Sequence, residues 1–153
     1  MKKVILTIML AMAGTNAHAA NLITQAKYKV ETLYYNIAKL PKPLTNSDGV
    51  VVGEITTATY QNDVLTYFTT LSWEILELMR TEQRRVNSSS KEDLLETEIK
   101  QPMINPMISQ YCAMSGKLYR FRRDKIVVVY AFDASEFGNF SVVLGEDSCR
   151  APL

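Results

Sequence analysis

The sequence contains one histidine, His18, and it lies in a segment expected to be removed. A chain without histidine lacks the usual general base, the Ser-His and Cys-His nucleophile pairs and the commonest transition-metal ligand. Glycine is scarce as well. The six residues are scattered, none builds a phosphate-cradling loop, and no G-x-S-x-G occurs. Cysteine is limited to Cys112 and Cys149. Beyond residue 19 no apolar run is long enough to cross a bilayer. Neither sign of charge dominates: without Lys2 and Lys3, the basic residues number about one fewer than the 16 acids. That balance gives no footing for a nucleic-acid binder or a polybasic membrane binder.

The N-terminus carries the most specific pattern. Lys2 and Lys3 precede an uncharged apolar run from Val4 to Ala13. Gly14, Thr15 and Asn16 follow, then Ala17-His18-Ala19. Signal peptidase requires small side chains at the last and third-last positions before the cut, and Ala17 and Ala19 supply them for cleavage before Ala20. The alternative, a membrane anchor, needs a longer apolar run. No cysteine lies near the cut, so the lipoprotein route has no residue to acylate. Residues 1–19 are therefore expected to be a cleaved signal peptide and residues 20–153 a single domain, periplasmic or secreted.

In an oxidising compartment, two cysteines read as one disulfide, Cys112 to Cys149. The alternative is a pair of free thiols with one acting as nucleophile. It would have to work without a histidine and without C-x-x-C spacing.

From Asn21 to Leu40, apolar residues recur at helical steps: Leu22, Ala26, Val30, Leu33, Ile37 and Leu40. Tyr28, Tyr34 and Tyr35 broaden the stripe, and Pro41 and Pro43 end it. The expectation is a helix packed on a sheet by that stripe; the alternative is a partner-binding helix. Residues 41–49 read as a loop. Residues 50–60 and 64–71 are rich in β-branched residues, and Gln61-Asn62-Asp63 separates them, so an antiparallel hairpin is expected. Residues 72–86 fit a helix or a continued strand. Ser90 followed by Lys91, Glu92 and Asp93 is a helix start. A helical stripe from Leu94 then reaches Cys112, with Pro102 and Pro106 kinking or splitting it. Met103, Met107 and Met114 are expected to fill the core. Residues 118–122 fit a strand or a helix tail. Residues 125–132 and 138–145 form the second hairpin. The fold class is thus α+β: an N-terminal helix and an antiparallel sheet of two hairpins, packed by a central helix that one disulfide tethers to the sheet.

No metal site or cofactor is expected. Glu92, Asp93, Glu96 and Glu98 cluster at a helix start, where a solvated first turn accounts for them. The cluster Lys117, Arg120, Arg122, Arg123 and Lys125, interleaved with Tyr119 and Phe121, is the candidate partner site. If extended, it sets Arg120 and Arg122 on one face and Tyr119 and Phe121 on the other. Arginine and tyrosine are enriched at interface hot spots. The competing explanation is a charged edge that keeps other strands from adding.

Residues 94–149 carry a helix ending in Cys112 (Met107-Ile108-Ser109-Gln110-Tyr111-Cys112), two strands, and Asp147-Ser148-Cys149 at the close. This arrangement resembles small exported envelope proteins of Gram-negative bacteria, including the AspS-type pilotins of type II secretion. The pilotins are lipoproteins, and this chain has no cysteine to acylate. The resemblance implies a non-enzymatic envelope accessory or binding protein associated with secretion or virulence. Its partner would be another envelope or secreted protein. A second reading is a periplasmic immunity or inhibitor protein acting on a toxin or hydrolase.

Overall fold

The computed structural model describes residues 20–33, 35–36, 41–46, 48–85 and 90–150. The signal segment with Ala17 and Ala19 lies outside the described residues. Ala20 opens the first helix, α1, which covers residues 20–36 apart from position 34.

Five strands form one sheet in the order β1-β2-β3-β4-β5: Lys42–Thr45, Val51–Gln61, Val64–Leu71, Val127–Asp133 and Asn139–Leu144. Both expected hairpins are present. In the first, Asn62 and Asp63 have φ of 51° and 59°. Two central residues at positive φ are what the twist-matched two-residue hairpin turn requires. In the second, residues 134–138 close the turn, with Gly138 at φ 101°. The hairpins join through β3 and β4, which pair in parallel from Val64↔Val127 to Thr70↔Asp133. A parallel pair needs a crossover. Residues 72–126 supply it and carry every other helix of five or more residues. β1 is a short edge strand where turn residues suggested only a loop. Its register with β2 runs from Lys42↔Ile55 to Thr45↔Val51.

Residues 72–86 resolve in favour of a helix, α2 (Trp73–Arg85). Ser90 caps α3 (Lys91–Leu94), its hydroxyl accepting from the Asp93 N–H at 3.1 Å. A wide π-helical turn (Leu95–Lys100) follows, then α4 (Gln101–Cys112). Pro102 stands in the first turn of α4, which continues directly from the π-turn, and Pro106 lies inside it. Residues 118–122 belong to a helix, α5 (Tyr119–Arg123). The extended alternation of Arg120/Arg122 against Tyr119/Phe121 is therefore replaced by a helical one.

One side of the sheet is buried beneath a helical layer that contributes Tyr28, Met79, Ile99, Tyr111 and Phe121. Leu65, Tyr67, Thr69 and Leu71 are buried on that side, while Phe68 and Thr70 are exposed on the other. A bulge between Ile55 and Thr57 resets the alternation in β2, so that both Ile55 and Ala58 face inward. The core extends through Phe121, Ile126, Val128, Tyr130, Phe132, Val142 and Leu144. Each such side chain contributes ~1.5–3 kcal/mol on burial. Met114 is exposed and is not a core residue; Met103 and Met107 are half-buried.

The stripe of α1 is turned the other way from expectation. Tyr28, Thr32 and Tyr35 are buried, whereas Leu22, Ile23, Val30 and Leu33 are all more than half exposed. The tyrosine rings decide this. Tyr28 lies 5.6 Å from Tyr60 and 5.7 Å from Phe121, and Tyr35 lies 5.4 Å from Tyr67. An aromatic face buries more area than the aliphatic one, and its hydroxyls find partners. Ile37 and Leu40 lie outside the described residues.

Cys112 and Cys149 form the disulfide, with Cα atoms 5.5 Å apart. It ties the end of α4 to the single turn after β5 (Glu146–Cys149).

Candidate functional site

A cleft of about 580 Å³ opens between the helical layer and the β1 end of the sheet. One wall is the π-turn and α4, contributing Ile99, Pro102, Met103, Pro106 and Met107; the other is β1 and β2, with Leu44, Val52 and Ile55. Its volume falls within the range of small-ligand pockets, ~300–1,000 Å³. The wall formed by α4 is backbone-irregular. In a regular helix, the carbonyls of residues 98 and 102 would accept from the N–H groups of residues 102 and 106, and two prolines supply none. The π-turn immediately before is a feature that recurs at functional sites.

Tyr35, Tyr67 and Tyr130 line the interior. Tyr67 and Tyr130 rings lie 5.2 Å apart. The Tyr67 hydroxyl donates to Glu31 Oε1 at 2.8 Å, and Arg120 donates to the same oxygen at 2.6 Å. One carboxylate oxygen thus links α1, β3 and α5. Burial pushes the Tyr67 phenol up, and the Glu31 charge adds to this. Burial likewise raises Tyr130. The Tyr67 phenol thus stays protonated near neutrality and serves as a hydrogen-bond donor to Glu31 rather than as a base. Burial works against the Arg120 guanidinium, but Glu31 more than offsets it and holds its pKa above the usual value.

Lys42, Lys117 and Arg120 stand at the rim, together with Asp48 and Glu98. Lys42 Nζ approaches the Tyr35 hydroxyl at 3.4 Å and lies 5.5 Å from its ring centre. Neither Lys42 nor Lys117 has a carboxylate partner among the described residues.

Of the candidate partner residues, the structure brings Lys117, Arg120 and Phe121 to the cleft. Phe121 is buried, so its part is to build the wall. Tyr119, Arg122, Arg123 and Lys125 do not line it. Arg122 donates to the Cys112 carbonyl at 2.7 Å, and Arg123 pairs with Asp124 at 3.1 Å. Lys125 occupies a turn position with φ 58°. The loop that presents Lys117 is fixed by Gln110: its side-chain carbonyl accepts from Lys117 N–H at 2.9 Å, and its backbone carbonyl from Leu118 N–H at 3.1 Å. Gly116 permits this closeness, since a Cβ there would fall 1.9 Å from the Gln110 carbonyl oxygen.

Leu44, Tyr35, Ile99 and Pro102 were not assigned to a site from sequence. The signal available was two prolines interrupting an apolar helix and a Pro-rich segment after α1. Glu96, in the π-turn, is engaged by Lys100 and Gln101 at 2.9 and 2.8 Å. Among the described residues no group of three or more Cys, Asp, Glu or His could hold a metal ion.

No family model and no curated protein matches this sequence, so the pilotin resemblance gains no support there. Among solved structures, the chain is similar to the crystal structure of a presumed secreted protein from Pseudomonas aeruginosa. The TM-score is 0.47 at 10% identity, over 86% of this chain and 96% of that one. A likeness of that size carries no function across. The disulfide is consistent with an extracytoplasmic protein, and no helix among the described residues is long and apolar enough to cross a membrane.

Proposed function

We propose that this chain is a small, non-catalytic accessory protein of the cell envelope, periplasmic or secreted, that holds part of another envelope or secreted protein in the cleft. The observation that supports this is the composition of the cleft itself. Its walls are apolar, the Tyr67 hydroxyl is engaged by Glu31, and its rim carries Lys42 and Lys117, without carboxylate partners among the described residues, beside Arg120, Asp48 and Glu98. Such a surface can bury an apolar segment and meet an acidic group at its mouth. It offers neither an activated nucleophile nor a base poised near neutral pH. The signal-like N-terminus and the disulfide support the compartment.

Site-specific photo-crosslinking in the exporting cell tests this reading. A crosslinker at Met103 or Leu44 is expected to trap one protein species, and one at Val143, on the open face of the sheet, to trap none. Met103→Trp, which fills the cleft, is expected to abolish the adduct formed from Leu44. Equal trapping from Val143, or turnover of a cell-wall, lipid or peptide substrate by the purified protein, would overturn it.

A further inference from the structure

We propose that the outward stripe of α1 is a dimer seam, and that two copies of this chain pair α1 against α1 in parallel. The helix is built inside out for a monomer. Its inward face carries Tyr28, Glu31, Thr32 and Tyr35, all engaged with the domain. Its outward face carries Ile23, Val30 and Leu33, exposed by 71, 65 and 51%.

Spacing and residue type on that face are specific. Ile23, Ala26, Val30 and Leu33 follow one another at steps of three, four and three. Those are alternating a and d positions of a heptad. β-Branched residues occupy both a positions and Leu33 one of the d positions, as in two-stranded parallel pairs, with the smaller Ala26 at the other. The residues buried on the domain then fall at b, c and f, the positions that point away from a partner helix. Each domain would hang on the outside of the seam.

Charge selects the second copy and its direction. Lys27 and Lys29 flank the stripe at e and g. In a parallel pair, g positions face the partner's e positions, so Lys29 does not oppose a second Lys29. In an antiparallel pair centred on the same stripe, g would face g, so Lys29 would face Lys29; Lys27 is already paired with Asp124 of its own domain at 2.7 Å and leaves Lys29 to set the direction. Area is sufficient. Leu22, Ile23, Val30 and Leu33 from two copies would cover on the order of 1,000 Å² in total, the lower bound for a specific interface. The helix is already ordered on its own domain, so association bears no cost of helix formation.

Sedimentation of the purified, oxidised protein over a range of concentrations up to millimolar is the test. A reversible monomer–dimer equilibrium is expected, and Val30→Glu with Leu33→Glu should leave a monomer with unchanged circular dichroism and melting temperature. Mild oxidation of Ala26→Cys should give a covalent dimer, and of Gln25→Cys none. A monomer at every concentration would overturn the proposal, as would a dimer that A26C fails to cross-link. Binding of the protein to anionic phospholipid vesicles, lost in the double variant, would assign the stripe to a membrane surface and overturn it as well.

Discussion

Asn36 is bonded to Ala58 as a neighbouring strand would be. Its side-chain nitrogen donates to the Ala58 carbonyl at 3.0 Å, and its side-chain oxygen accepts from the Ala58 N–H at 3.3 Å. The Thr57 hydroxyl donates to the same oxygen. β1 covers only the Val51–Ile55 end of β2, so the remainder of that edge would otherwise present unpaired backbone. The Asn36 side chain satisfies that edge at Ala58 and locks α1 to the sheet.

Asn36→Ala is therefore expected to cost about 1–2 kcal/mol, the range for leaving a partly buried backbone pair unsatisfied. Amide exchange at Ala58 should accelerate more than at Val128, which lies in a strand paired on both sides. Asn36→Asp keeps an acceptor and loses the donor, and should fall between. Unchanged exchange at Ala58 in the alanine variant would show that the edge is closed without Asn36.

A second anchor of α1 makes stability depend on acid. Asp124 Oδ2 accepts from Lys27 Nζ at 2.7 Å and from the Tyr28 hydroxyl at 2.8 Å. Burial disfavours its charge, but hydrogen bonds from Lys27, Tyr28 and Arg123 outweigh that and hold its pKa down at about 2, against 3.8 for a free side chain. A carboxylate whose pKa is depressed on folding stabilises the native state above the unfolded value, and that stability is lost as pH falls through the folded one. Wild type should lose about 1–2 kcal/mol between roughly pH 4 and pH 2 that Asp124→Asn does not lose. Urea unfolding across that interval reads the difference. Parallel curves for the two proteins would exclude Asp124 as the group responsible.

The disulfide holds α4 against the end of β5, and its loss should act on stability. Replacing both cysteines by serine is expected to cost about 2–4 kcal/mol. Thiol titration of the denatured, unreduced protein should find no free thiol. Two free thiols in protein taken directly from its native compartment would contradict the bridge.

The hairpins were legible in the sequence because their information is local: β-branched alternation on each side of a short polar break, with two residues able to take positive φ. The start of α3 was legible for the same reason, in Ser90 and the acids after it. The parallel seam between β3 and β4 was not, because nothing near Val64 or Val127 records which strand lies beside it. Residues 118–122 stayed open between strand and helix because Tyr-Arg-Phe-Arg-Arg alternates. The turn held by Gln110 and Gly116 sets its course instead. The facing of α1 was lost to a general preference for aliphatic stripes. The rings of Tyr28 and Tyr35 and the Glu31 carboxylate on the opposite side outweighed them. The cleft was only partly visible, through Lys117, Arg120 and Phe121, because its other wall comes from residues some 60–75 positions earlier in the chain.

The bridge between Cys112 and Cys149 joins the only two cysteines in the chain. With no third thiol, there is one intramolecular pairing and no wrong one. Maturation then calls for an oxidant that accepts two electrons, and not for an isomerase that reshuffles bonds. The two sulfurs can meet natively only after the 72–126 crossover has brought α4 beside β5. Once made, the bond holds the end of α4 to the turn after β5.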